Sequence, residues 1–120
     1  MSCNSTNIKL TRGDDFSLSL ELDFLESFTV TRVDFTVKYN SFTENSLLNK
    51  FWESGSASGI EKDGNLYKIY ITGSDTENWE YGNYRYDVQI KYTDGTTTKT
   101  LTAIKPSLFA VLEEVTWGEL

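Results

Sequence analysis

An all-β sandwich is the fold class this sequence predicts, and three observations carry the prediction. Asn83 to Tyr92 alternates five polar residues with five apolar or aromatic ones, Tyr84, Tyr86, Val88, Ile90 and Tyr92. A period of two held over that length suits a half-buried strand, and a helix of 3.6-residue period could not gather that set on one side. Short segments of the same alternation recur along the chain, separated by turns rich in Gly, Asp and Ser. Extended helical stripes and internal repeats are absent from the sequence. Seven to nine short antiparallel strands in two stacked sheets follow.

Ile8 to Arg12 reads as a first strand closed by the turn-forming pair Gly13-Asp14. Phe16, Leu18, Leu20, Leu22 and Phe24 then alternate with Ser17, Ser19, Glu21 and Asp23, which makes a second strand with one core face. A polar break at Glu26-Ser27 leads to a third, in which Val33, Phe35, Val37 and Tyr39 alternate with Arg32, Asp34, Thr36 and Lys38. Thr43 to Trp52 is ambiguous: Leu47, Leu48, Phe51 and Trp52 share a face of two helical turns, yet a bent or irregular edge segment is the expectation for so short a run. Ser54 to Gly59 has the composition of a loop. Asp63-Gly64 suits a tight hairpin turn, followed by a strand from Leu66 to Thr72 with Tyr67, Ile69 and Ile71 on one side. Gly73 to Gly82 is expected to be a connection with one helical turn, capped by Ser74 or Asp75 and carrying Trp79 inward. Asp94-Gly95 closes a hairpin between the long strand and Thr97 to Thr102. Lys105-Pro106 lacks a ladder donor, so it marks an edge, a bulge or a strand start, and Leu108 to Val115 completes the sheet.

The 120 residues form one domain, with a flexible stretch over 1–7, the sandwich over 8–116 and a tail over 117–120. Eleven basic against eighteen acidic residues give a net charge of −7, which repels phosphate backbones and anionic lipid, so no nucleic acid and no membrane partner is expected. The single cysteine, Cys3, cannot form an internal disulfide, and stability must come from packing. The first residues lack the basic and apolar regions of a signal peptide, and no apolar run approaches the roughly 18 residues of a membrane helix. Synthesis in the cytoplasm is the expectation.

Gly82-Asn83-Tyr84-Arg85-Tyr86 resembles the Gly-x-Tyr-x-Cys start of the penultimate strand of immunoglobulin domains. Tyr84 takes the place of the corner tyrosine, whose hydroxyl bonds back to backbone a few residues upstream. Tyr86 stands where the second cysteine would, so the contact between sheets is expected to be aromatic and aliphatic, centred on Trp79 or Tyr86.

The order Leu10-Thr11-Arg12-Gly13-Asp14-Asp15, Val33 to Lys38, Ser74-Asp75-Thr76, Tyr81 to Ile90, Asp94-Gly95, Thr100-Leu101 and Glu114-Val115-Thr116 resembles a known family. It is that of the immunoglobulin-like β-sandwich in tail and baseplate proteins of phages and prophages of Gram-positive bacteria, like the N-terminal domain of the baseplate upper protein. The resemblance spans residues 8–116 and departs from the family at Lys105-Pro106, where members often place a glycine. It implies a non-enzymatic structural module of a virion tail, as a stand-alone relative or smaller tail component, partnered by itself or by other tail and baseplate proteins.

Chemistry finds little support in the residues. With no histidine the usual general base and zinc ligand are missing together, and Cys3 has no base to activate it. No Asp-x-Asp-x-Asp-Gly loop occurs, so Asp14-Asp15 and Asp75, Glu77 and Glu80 read as solvated carboxylates, and neither metal nor cofactor is expected. Nothing places two carboxylates across a sugar cleft as a glycosidase needs. Arg12-Gly13-Asp14 is the integrin tripeptide, but Gly and Asp are also what a turn selects. The aromatics offer the competing function, a carbohydrate-binding or adhesin domain recognising a bacterial surface glycan with exposed rings. Strand-interior tyrosines and Trp79 are expected in the core. Trp52 and Trp117, in less regular sequence, are the candidates for an interface or a ligand.

Overall fold

A computed structural model describes residues 7–22, 28–40 and 46–112 of the chain. Within them nine strands and one short helical turn follow in order: β1 (Ile8–Thr11), β2 (Phe16–Glu21), β3 (Thr29–Lys38), β4 (Leu48–Glu53), β5 (Ser56–Ser58), β6 (Ile60–Asp63), β7 (Leu66–Ile71), α1 (Gly73–Thr76), β8 (Gly82–Thr93) and β9 (Thr98–Leu112). Two sheets form, one in the order β1-β9-β8-β3-β4-β5 and one in the order β2-β7-β6. This is the immunoglobulin variable-type arrangement, with β2, β7 and β6 in the places of strands B, E and D, and β9, β8, β3, β4 and β5 in those of G, F, C, C′ and C″. β1 belongs to the larger sheet.

Alternation decides what is buried. Tyr84, Tyr86, Val88 and Ile90 of β8, Val33, Phe35 and Val37 of β3, and Tyr67, Ile69 and Ile71 of β7 all point into one core, joined by Ile8, Leu10, Leu22, Phe109 and Val111. Their polar neighbours in sequence lie on the outer faces. On the core face of the larger sheet Phe35 lies 5.3 Å from Tyr86 and 6.4 Å from Phe109, ring centre to ring centre, and Tyr86 lies 6.3 Å from Phe109. Among the described residues the ring contact across the two sheets is that of Trp52 with Tyr67, at 5.6 Å, and not one centred on Trp79 or Tyr86 as expected.

Several expectations are corrected. The sandwich is not wholly antiparallel, because β1 runs parallel to β9 with Ile8 beside Phe109 and Leu10 beside Val111. The tight turn after β1 sends the chain into the opposite sheet, so the direction of β1 is set by that of β2. Leu48 to Glu53 is a regular strand and not an irregular edge, since β3 pairs with one side of it and β5 with the other. Residues 43–45 of that segment lie outside the described residues. Ser54 to Gly59 is a two-residue turn and a short strand, because Ala57 and Ser56 pair back onto Trp52 and Glu53. The cap of α1 is Thr72, two residues before Ser74 and three before Asp75, and Asp75 accepts the Thr72 N–H at 2.8 Å.

Thr97–Thr102 and Leu108–Val115 are not two strands. Residues 98–112 run as the single strand β9, which bends where its register against β8 shifts on either side of Val88. Lys105-Pro106 falls in the first of these bulges, opposite Asp87, where the ladder needs no donor. Residues 113–115 lie outside the described residues. The Asp63-Gly64 hairpin forms as expected, with Gly64 at φ 62 as the first of two turn residues.

Candidate functional site

Tyr84 opens β8 from beneath the α1 connection. Its hydroxyl donates to the Glu80 carbonyl oxygen at 2.7 Å, the tyrosine-corner geometry. Trp79 folds inward as expected, 5.0 Å from the Tyr84 ring and 6.0 Å from Phe109, while Tyr39 meets Tyr84 edge-on at 5.7 Å. Burial pushes the Tyr84 phenol above its ordinary pKa, and Glu80 and Tyr39 add to the rise. Burial alone pushes Tyr86 up to about 12. These tyrosines are packing groups held neutral.

Trp52 sits in β4 between Val33 and Ala57. Its ring is half-buried against the core and meets the buried Tyr67 edge-on, at 5.6 Å and 71°. Lys62 of β6 reaches over both rings, its Nζ 5.9 Å from Trp52 and 5.7 Å from Tyr67, and donates to the Gly64 carbonyl at 2.8 Å. A cleft of about 330 Å³ opens here between the sheets, with Leu22 and Val30 at its floor and Phe28 and Asn65 at its rim. The arrangement offers one ring face beside one cation, and not the coplanar pair of rings a sugar platform uses. Trp117, the other candidate, lies outside the described residues.

The integrin tripeptide is a turn. Asp14 N–H donates to the Thr11 carbonyl at 3.0 Å, and Gly13 stands at φ 89, the left-handed third position of a type II turn. Arg12 donates to the Trp79 carbonyl at 3.2 Å and lies 4.4 Å over the Tyr81 ring, so the turn is bound to the α1 connection. Asp15 accepts the Gly73 N–H at 2.7 Å. Asp75 pairs with Lys50 at 2.9 Å. Among the described residues no three His, Cys, Asp or Glu gather as metal ligands.

The sheet edges are the remaining feature. β5 has three residues, β6 carries Glu61, Lys62 and Asp63, and β1 has four residues including Lys9. β2 is different. Its six residues, Phe-Ser-Leu-Ser-Leu-Glu, hold one charge and no proline, and its register with β7 is unbroken. Leu22 N–H donates to the Asn65 carbonyl in that same register, so Phe16, Leu18 and Leu20 turn their backbone groups toward β7. Ser17, Ser19 and Glu21 therefore turn theirs to the outer edge, and all three are exposed. Sequence reasoning missed this edge because alternation reveals which face is wet and not which strand is last.

Compared with known proteins, the chain matches no protein-family model and no curated protein sequence.

Proposed function

We propose that the chain is a non-enzymatic assembly module of a phage tail or baseplate, acting in a virion or prophage particle through contacts with itself or with other tail proteins. The observation that supports this most is the β2 edge, six residues long, flat in register and carrying one charge. Soluble proteins usually blunt such an edge with lysine, proline or a bulge, and an edge left open accepts a strand from a neighbour. The ordered motifs from Leu10 to Thr116 add the family context. Antibody against the chain, applied to gradient-purified tailed particles, is expected to label the tail. Particles that form normally without the chain and never contain it would reject the reading.

A second reading, glycan binding, draws on the cleft beside Trp52 and Lys62. It has less support, because Trp52 and Tyr67 meet edge-on and give a sugar a single face. Glycan-array binding by a monomeric chain would favour it.

A further inference from the structure

We propose that two copies of this chain join by antiparallel pairing of their β2 edges, about a two-fold axis through Ser19. The inference rests on the assembly reading and names its partner, a second copy, and its register. Alternation limits the choices. Even-numbered residues of β2 point to the core and odd-numbered ones to the wet face. A continuous sheet places residues of one face opposite each other, so the numbers of facing residues must sum to an even value. The groups facing the edge are those of Ser17, Ser19 and Glu21.

Centred on Ser19, the pairing sets Ser19 against the partner's Ser19 and Ser17 against the partner's Glu21. Each of these pairs exchanges two backbone hydrogen bonds, so every edge-facing group within β2 is satisfied. Leu18 then meets the partner's Leu20 on the core face. The result is one six-stranded sheet, β6-β7-β2 continued by the partner's β2-β7-β6. Centring on Leu18 would instead oppose Asp15 to the partner's Glu21, and centring on Glu21 would oppose two carboxylates directly. Like charges placed opposite each other weaken a sheet. Centring on Leu20 opposes no like charges within β2 but sets Ser17 opposite position 23, beyond the end of the strand, so the Ser19 register alone pairs all three edge-facing residues of β2 without opposing carboxylates. Each copy carries a net charge of −7, so association should strengthen with salt as long-range repulsion is screened.

The test uses the full chain with Cys3→Ser as background. Facing Ser19 positions lie about 5.5 Å apart between Cα atoms, within disulfide reach, whereas the two Ser17 positions are offset by roughly 14 Å along the strands. Ser19→Cys is expected to cross-link on oxidation at least about tenfold faster than Ser17→Cys. Ser19→Lys brings two ammonium groups together, and Ser19→Pro removes an outward N–H that the β7 ladder does not use. Both are expected to give the monomer mass by light scattering with unchanged circular dichroism. Equal cross-linking at the two positions, a dimer that survives Ser19→Lys, or a wild-type monomer at millimolar concentration would overturn the proposal. An oligomer that persists in Ser19→Lys rejects this edge and leaves the tail role standing, while absence of the chain from tailed particles rejects the tail role and leaves a Ser19 cross-link untouched.

Discussion

The Tyr84 hydroxyl donates to the carbonyl oxygen of Glu80, four residues upstream and 2.7 Å away, and so ties the start of β8 to the connection that crosses between the sheets. The same ring packs on Trp79. Removing only the hydroxyl leaves the Glu80 carbonyl short of one donor, so Tyr84→Phe is expected to cost about 1 kcal/mol. Tyr84→Ala empties a buried site as well and should cost about 2 to 4 kcal/mol. Thermal melts of the two variants separate bond from packing, and an unchanged melt for Tyr84→Ala would remove the corner's structural role.

Gly73 approaches the β1–β2 turn so closely that a Cβ there would overlap the Gly13 carbonyl oxygen. Backbone stands on the other side, not a flexible side chain. Gly73→Ala is therefore expected to destabilise by about 2 kcal/mol, as overpacking does. Urea denaturation gives the magnitude, and amide shifts at Gly13 and Asp15 should move with it.

Tyr86 and Asp87 each contribute to the pH dependence of stability. Burial raises the Tyr86 phenol from 10.0 to about 12, so the folded chain keeps a proton that the unfolded chain has lost. Stability is intact below pH 10 and falls as pH rises toward 12. The last part of the tyrosinate absorbance to develop should therefore coincide with loss of near-ultraviolet dichroism, since exposed rings such as Tyr39 and Tyr81 ionise without unfolding. Asp87 is also raised, first by burial and then by Asp34, with Lys38 opposing. Its protonated form favours the fold, so that contribution is present in acid and lost as pH rises through the folded value. Asp87→Asn should stabilise at neutral pH and change little below 3.8, as urea titrations at the two pH values would show.

Lys50 links β4 to α1. Its stem passes over Gly59, where a Cβ would collide with it, and its ammonium pairs with Asp75 of α1. Lys50→Met keeps the stem and loses the charge, at an expected cost of about 1 kcal/mol. Lys50→Ala loses both and should cost about 2 kcal/mol. Equal losses in the two variants, measured by urea denaturation, would mean the stem contributes nothing.

Alternation made the core legible in the sequence. Val33, Phe35, Val37, Tyr67, Ile69, Ile71 and the β8 set are buried as their odd or even positions require. Turn chemistry made the hairpins legible at Gly64 and Asp94, where the Asp94 carboxylate accepts the N–H groups of Thr96 and Thr97 at 2.9 and 3.0 Å. Pairing over long sequence separation was not legible. The strand nature of Leu48 to Glu53 depends on β3 lying beside it, and the parallel contact of β1 depends on β9, about which local pattern says nothing. Trp52 stood out by residue type, yet its orientation is fixed by Tyr67 and Lys62 from the opposite sheet. The β2 edge followed from the order of strands alone.

The pairing of β1 with β9 also constrains the order of events during synthesis. Ile8 waits for Phe109, and Leu10 for Val111, so neither can settle until nearly all of the described sequence has left the ribosome. Until then a nascent chain holds β8 with one flank bare and its apolar row half-covered. Such contacts between distant parts of a chain make folding slow, and a chaperone would find its target in that interval.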